Sequence, residues 1–183
     1  MATAPRQLWC WDLTLLQSQI VGQWFYLHVI LDVYSREIVD FEVHERDRFD
    51  HAVALLRRTA LTEGVDALSE KPILHGDDGP MVKGTTVLAM LHWLGIKSWY
   101  TRPGVSGDNA FIEVFFSTTK YRSQYPTKGF ADLNAVRCWV REFVAWYNHD
   151  HRQRHPLRES SRASFRSGSR HLGPRTLALY PGP

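Results

Sequence analysis

The hydrophobic and polar positions in the N-terminal part of the chain predict three β-strands. Apolar and aromatic runs at residues 8–16, 24–33 and 37–44 are rich in the residue types that favour strands. The segment between the second and third runs is short and polar, which predicts a hairpin turn. We therefore expect the fold to begin with an antiparallel meander.

Helical periodicity alternates with short apolar runs in the rest of the chain. Residues 49–63 carry an apolar stripe that stops before Gly64, which predicts an amphipathic helix. The later predicted elements are a strand that runs into Asp77, a helix over 82–94, a strand over 96–100, and helices over 109–121 and 130–148. Strands interleaved with helices predict an α/β domain.

Three carboxylates occupy positions that suggest a metal site. Asp12 lies in the middle of an apolar strand, where an unpaired charge is costly, and Asp77 lies at the end of another strand. On a helical wheel, Glu113 shares an outward face with Asn109 and Lys120. Carboxylate oxygens are the hard ligands that Mg²⁺ prefers. The 35-residue gap between Asp77 and Glu113 adds little, because acidic residues are frequent in the chain.

Structural interpretations of these and neighbouring polar residues stay open. Asp12 can instead bond a backbone amide or an arginine, and Glu113 can belong to a solvated helix face carrying an ion pair. Asp32 stands beside a turn, where acids commonly bond backbone amides, while Asp40 is a rival carboxylate. His28 alternates with aliphatic residues and is expected to be a hydrogen-bonded core residue rather than a metal ligand.

Composition and charge fit one domain with an uneven charge distribution. The 183 residues are 44% hydrophobic, which suffices for one core, and no apolar run is long enough to span a bilayer. Residues 151–183 carry a net charge of +6, whereas residues 1–150 carry −3. With no secretory leader at its start, the chain is expected to be soluble and cytoplasmic. Cys10 and Cys138 are expected to be buried free thiols.

Several motifs, taken together and in order, resemble those of a known family. They are WDLT, YL...DVYSR.IV, LHGDDG, GI..WYTRPGVSGDNA, IEVFFSTTK and FVAWYNHDHR, within residues 7–152. Each motif alone is weak, but the set is similar to bacterial insertion-sequence transposases of the retroviral-integrase-like DDE superfamily. The resemblance implies an integrase-like catalytic core over residues 1–152, with an RNase H-like α/β fold built on a mixed five-stranded sheet flanked by helices.

The resemblance also implies a catalytic site and its partners. It makes Asp12, Asp77 and Glu113 the metal-binding catalytic triad, and Asn109 and Lys120 DNA-binding residues. Two Mg²⁺ or Mn²⁺ ions are the expected cofactors, for cleavage and strand transfer at phosphodiester bonds. The expected partners are DNA (element ends and target), further copies in a homo-oligomer on DNA, and full-length copies of the transposase. No membrane partner is expected, and the protein would associate with the nucleoid when bound to DNA.

Two departures from the family pattern leave alternatives open. The chain starts almost directly at the catalytic region, and residues 153–183 do not match the family's C-terminal pattern. This Arg/Ser/Pro-rich tail is expected to be disordered or read out of frame. A less favoured interpretation is a phosphate-binding arginine stripe, with Arg at every fourth position from 154 to 170. The alternative functions are an RNase H-like nuclease that does not join strands, and a truncated transposase without activity.

Overall fold

The computed structural model describes residues 2–76, 84–100 and 110–151. Its strands and long helices are β1 (Leu8–Gln17), β2 (Trp24–Asp32), β3 (Ile38–His44), α1 (Phe49–Thr62), β4 (Ile73–Gly76), α2 (Thr85–Leu94), β5 (Lys97–Tyr100), α3 (Ala110–Tyr121) and α4 (Leu133–Trp146). A 3-10 turn, Val65–Ala67, follows α1, and a π-helical turn, Tyr147–His151, continues α4. The predicted order of strands and helices is confirmed.

The five strands form one mixed sheet in the order β3-β2-β1-β4-β5. β1 pairs antiparallel with β2, and β2 pairs antiparallel with β3, which confirms the predicted meander. β4 is parallel to β1, and β5 is parallel to β4. Parallel neighbours require crossover connections, which α1 and α2 supply.

Helices cover the sheet on both sides, and each side has its own hydrophobic core. Strand residues alternate between the two sides, so Trp9 and Trp11 point one way while Cys10 points the other. Trp9 and Trp11 pack with α1 and α2, on what we call the α1–α2 face. Cys10 packs in the core that contains Phe115 of α3 and the apolar stripe of α4, on what we call the α3–α4 face.

α4 begins three residues later than its apolar periodicity predicts. Phe130 is buried as expected, but it lies before the helix and forms a parallel bridge with Ser18. The helix instead begins after Asp132, whose Oδ1 accepts a hydrogen bond from the N–H of Ala135 at 2.8 Å. Aspartate is a favoured N-cap because it accepts from the free amides of the first helical turn. Periodicity alone could not separate Phe130 from the helix.

Two other residues lie in environments that differ from the sequence-based expectation. Cys138 is exposed, although its apolar neighbours predicted a buried thiol. It lies about 200° from the buried Val136 at 100° per residue, which places it on the solvent side of α4. On α2, the apolar spacing predicts that Leu88 is buried, but 38% of this residue is exposed. Only Val87 and Leu91 are buried on that helix.

Gly129 allows the loop before α4 to cross the end of β1 at close range. The N–H of Phe130 donates to the carbonyl of Gln17 at 2.8 Å, and the N–H of Gln19 donates to the carbonyl of Phe130 at 2.9 Å. Gly129 has a φ of +83°, and a Cβ there would lie 2.7 Å from backbone atoms of Gln17 and Ser18. Both the conformation and the space therefore require glycine.

We expect Gly129→Ala to destabilise the fold by about 2–5 kcal/mol, because a positive φ and a backbone clash act together. Gly22→Ala is a matched control: Gly22 has the same φ of +83°, but nothing lies within 4 Å of its would-be Cβ. The control should lose only about 1–2 kcal/mol. Urea denaturation measures both values, and equal losses would show that the close approach at Gly129 has no energetic role.

Candidate catalytic face

Asp12 lies at the centre of the sheet, on its α3–α4 face. β1 is the middle strand, and Asp12 pairs in register with Val29 of β2. Alternation places its side chain on the same face as Cys10, in the direction of α3. Asp12 is half-buried rather than enclosed. A carboxylate here lies beside the core and remains accessible to solvent.

The carboxylate of Asp12 makes a local contact with the backbone. Its Oδ1 accepts a hydrogen bond from the N–H of Leu13 at 2.7 Å. This contact agrees with the structural interpretation of Asp12 as an acid bonded to a backbone amide. It does not exclude metal binding, because a carboxylate has two oxygens and about four lone-pair sites.

Glu113 extends from the first turn of α3, and its side chain is exposed, as the helical wheel predicts. α3 packs against β1 through a stripe of Ile112, Phe115 and Thr119, which are fully buried. Val114, which the apolar spacing assigns to the buried side although it lies only about 100° from Glu113 on the wheel, is 61% exposed, because the buried stripe is centred closer to Ile112. Glu113 and Asp12 thus belong to the same side of the sheet.

The ends of α3 also have charges that suit the helix dipole. Glu113 lies in the first turn and Lys120 in the last turn, and Lys120 is exposed. Charges of these signs stabilise a helix by roughly 0.3–1 kcal/mol each. The dipole therefore gives both residues a structural role that is compatible with the predicted functional one.

The third predicted ligand, Asp77, lies outside the described residues, as does Asn109. β4 nevertheless shows where the chain approaches that position. Its last residue, Gly76, pairs with Trp11, the residue immediately before Asp12. β4, which is adjacent to β1, therefore ends one residue short of the level of Asp12 and one residue before Asp77 in the sequence.

The part of the chain that the structure describes contains no group of three or more His, Cys, Asp or Glu side chains able to hold a metal ion. Asp12 and Glu113 are the two predicted ligands within it.

Among the same described residues, no helix is long and apolar enough to cross a membrane.

The two rival carboxylates have structural roles. Asp32 is buried and accepts hydrogen bonds from the N–H groups of Arg6, at 2.6 Å, and Ser35, at 2.7 Å, as its position beside a turn predicts. Asp40 pairs with Arg58 of α1 at 2.9 Å and accepts a hydrogen bond from the hydroxyl of Thr59. The contacts of Asp40 are on the α1–α2 face, opposite Asp12.

His28 is a core residue, but the expectation that it is hydrogen-bonded is wrong. The ring is fully buried, and within the described residues neither ring nitrogen has a hydrogen-bond partner of good geometry. Asp47 Oδ1 lies 3.4 Å from its Nε2, but this contact does not offset the burial. Burial and the nearby His44 and His51 lower the pKa of His28 to about 4. His28 is therefore neutral at pH 7.

Asn148 has an anchoring role that the sequence pattern did not reveal. Its Oδ1 accepts a hydrogen bond from the N–H of Ile38 at 3.0 Å, and its Nδ2 donates to the carbonyl of Ile38 at 2.9 Å. These two bonds fix the turn after α4 to the start of β3. The only sequence signal is an amide at the end of an amphipathic helix, which does not identify a partner 110 residues away.

The mixed sheet and its two helical layers form an RNase H-like α/β fold. The solved structures with this architecture include a chain of the simian T-cell lymphotropic virus intasome in complex with PP2A regulatory subunit B56 gamma, with a TM-score of 0.61 and 19% identity over 81% of this chain and 50% of that one. They also include the Mos1 transposase catalytic domain solved with raltegravir and Mg, with a TM-score of 0.56 and 15% identity. That match covers 76% of this chain and 71% of the other.

Sequence comparison identifies the family. Residues 2–106 match one integrase core domain family, and residues 94–155 match a second family of the same description. The putative transposase InsK of insertion sequence IS150 from Escherichia coli is 28% identical over 149 residues, which is 80% of this chain. The chain belongs to the integrase core domain family, among the insertion-sequence transposases of the retroviral-integrase-like superfamily. It spans about half the length of InsK.

Proposed function

We propose that this domain carries out DNA transposition by divalent-metal-dependent cleavage and strand transfer. The observation that carries the proposal is the placement of two carboxylates, Asp12 on β1 and Glu113 on α3, on one side of a sheet whose β4 strand ends beside Trp11, the residue before Asp12. Membership of the integrase core domain family supports the same reaction class.

The donor atoms on this face suit a hard divalent cation. Asp12 and Glu113 offer carboxylate oxygens, and Asp77 would add a third pair from the residue after β4. Bound Mg²⁺ or Mn²⁺ ions would stabilise charge on the attacking and leaving oxygens of a phosphodiester. Asp12, Asp77 and Glu113 would together hold these ions.

The remaining residues of α3 fit a role in binding the DNA backbone. Lys120 is exposed two turns from Glu113 and would neutralise a phosphate, while Asn109 directly precedes α3 and would contact DNA near Glu113.

The first step is hydrolysis at the end of the element, which leaves a 3′-hydroxyl. That hydroxyl then attacks a phosphodiester of the target strand, and the displaced target oxygen takes up the proton.

An assembly of several copies on DNA belongs to the same proposal. The matched chain of the simian virus structure is part of an intasome, which supports oligomer formation on DNA by this chain as well. Full-length copies of the transposase are proposed as further partners, since the chain spans only part of the length of its relatives.

The test is an assay that separates hydrolysed from joined products. The purified chain is incubated with a labelled DNA duplex of the element end and a target plasmid, with Mg²⁺ or with a chelator. We expect Mg²⁺-dependent nicking and labelled strands covalently joined to the plasmid. Hydrolysis without joining would instead assign the domain to the RNase H-like nucleases. No product under any condition would assign this chain to inactive transposase remnants.

A further inference from the structure

The α3–α4 face of the sheet continues from β1 onto β4 and the edge strand β5, where Trp99 is exposed. Cys10, His75 and Trp99 pair in register across β1, β4 and β5, so their side chains point to the same face as Asp12. Trp99 is 52% exposed on the edge strand, whereas His75 beneath it is buried. An aromatic ring therefore lies exposed on the same face as the candidate site.

The ring of Trp99 is supported rather than loosely placed. It meets the ring of His75 edge to face, with centroids 5.7 Å apart and planes at 76°. Such pairs are favourable beyond simple burial. This contact limits the motion of the indole and leaves part of its surface open to a ligand.

Trp99 also forms one wall of a groove. Its lining includes the apolar Leu8 and Ile73 and the charged Glu70 and Lys71, and its volume is about 320 Å³. The Nζ of Lys71 donates to three backbone carbonyls, which commits it to the fold. Lys97 is exposed, and it is in register with Ile73 and on the same face as Trp99.

We propose that Trp99 stacks on a base of the DNA strand that passes over the candidate site, a positioning role that rests on the proposed function. Trp99 lies two strands from β1 and in register with Cys10, which is two residues before Asp12. With strands about 4.8 Å apart and about 3.3 Å per residue, the Cα atoms of Asp12 and Trp99 are roughly 12 Å apart. That separation corresponds to about three to four nucleotides of stacked DNA. A strand with its phosphate near Asp12 therefore reaches the indole within a few nucleotides.

The size of the groove, together with the neighbouring Lys97, favours a nucleobase over a protein. A stable protein interface buries about 800 Å² of surface on each partner, which is far more than a small groove offers. The groove volume of about 320 Å³ is at the lower limit for small-ligand sites. A flat ring fits beside the indole, and Lys97 supplies a cation for the adjoining phosphate. Aromatic rings flanked by basic side chains are the usual means of holding single-stranded DNA without sequence preference.

The test measures binding of a fluorescently labelled single-stranded 15-nucleotide DNA to the full chain at low salt without divalent ions. Trp99→Ala should weaken binding by about 5- to 150-fold, and Trp99→Phe should retain most of the affinity. Trp93→Ala is the matched control, because Trp93 is 73% exposed on α2, which covers the opposite face. Its affinity should equal that of the parent chain.

A second measurement does not depend on the folding of a variant. The same oligonucleotide with 5-bromodeoxyuridine is photo-crosslinked to the parent chain, and mass spectrometry should find the adduct on Trp99. No adduct there, or equal effects of Trp99→Ala and Trp93→Ala, would overturn the proposal. A dimer that dissociates on Trp99→Ala with unchanged DNA affinity would assign the groove to a second copy and also overturn it.

The outcomes distinguish failure of the stacking role of Trp99 from failure of the proposed cleavage and strand-transfer reaction. If the parent chain cleaves and joins DNA while Trp99→Ala binds the oligonucleotide as well as the parent, the stacking role is wrong and the proposed reaction stands. If Trp99→Ala loses affinity while the parent chain shows no Mg²⁺-dependent chemistry, single-strand binding stands and the reaction is wrong.

Discussion

Asp12→Asn and Glu113→Gln should each reduce Mg²⁺-dependent cleavage of element-end DNA by roughly 100-fold or more. Each substitution keeps the size of the side chain but replaces an anionic oxygen with an amide, which is a weaker ligand for a hard cation. Metal ions supply several kcal/mol of charge stabilisation in phosphodiester chemistry, and each 1.36 kcal/mol corresponds to a tenfold change in rate. Single-turnover cleavage under saturating protein measures the loss.

The folding of these variants should be little affected. Glu113 is exposed, and Asp12 is half-buried with a backbone contact at one oxygen that an asparagine can retain. Glu142→Gln is the matched control, since Glu142 is an exposed glutamate on a different helix, α4, and is not among the predicted ligands. Its activity should equal that of the parent chain. Parental cleavage by either Asp12→Asn or Glu113→Gln would remove that residue from the site.

Acidification from pH 7 to pH 4 should lower the free energy of unfolding by about 3 kcal/mol through His28 alone. Burial, together with His44 and His51, lowers the pKa of His28 to about 4 from an ordinary value near 6.5. Each pKa unit corresponds to 1.36 kcal/mol of difference between the protonation states. The pKa of His44 is also lowered, chiefly by burial, so it adds to the effect in the same direction.

The direction of this effect follows from the order of proton uptake. As the pH falls below about 6.5, the unfolded chain binds a proton at His28 while the folded chain does not, so stability decreases. The loss is complete near pH 4, where the folded state also becomes protonated. Glu42 raises the pKa of His28 and His44 and so partly offsets the lowering by burial, while Arg137 of α4 lowers the pKa of His44 further.

His28→Leu tests this account, because it removes the buried ionisable group while keeping an apolar side chain of moderate size. Urea denaturation at a series of pH values should show a flatter decline below pH 6.5 than in the parent protein. His92→Gln, at an exposed position on α2, controls for the loss of one histidine. Identical pH profiles for the parent and His28→Leu would mean that other groups cause the acid sensitivity.

Sequence reasoning predicted the elements of this fold because most carry a consistent periodicity. β1 to β3 are apolar runs separated by short polar turns, and α1 buries the residues that its stripe indicates, Ala52, Leu55, Leu56 and Ala60. Its errors lie where a tertiary contact decides the outcome. Phe130 left the predicted helix because Gly129 turns the chain onto Ser18, and no local pattern contains that contact.

The candidate site was predictable only in part, because periodicity places single residues but does not show which elements pair. The strand position of Asp12 and the helix face of Glu113 follow from periods of 2 and 3.6, which sequence alone provides. The parallel pairing of β1 with β4, which brings the chain to Asp12 just before Asp77, depends on contacts across more than 60 residues. For Trp99 the sequence predicts only membership of a strand, because its neighbours do not show which face of the sheet carries the indole ring.

The central claim is that Asp12, Asp77 and Glu113 hold divalent metal together, and metal binding tests it most directly. Mn²⁺ titrations followed by electron paramagnetic resonance compare the parent chain with Asp12→Asn, Asp77→Asn, Glu113→Gln and the control Glu142→Gln. We expect Mn²⁺ binding in the parent and the control, with at least about tenfold weaker binding in each of the three site variants. Parental Mn²⁺ affinity in Asp77→Asn or in Asp12→Asn would contradict the shared site.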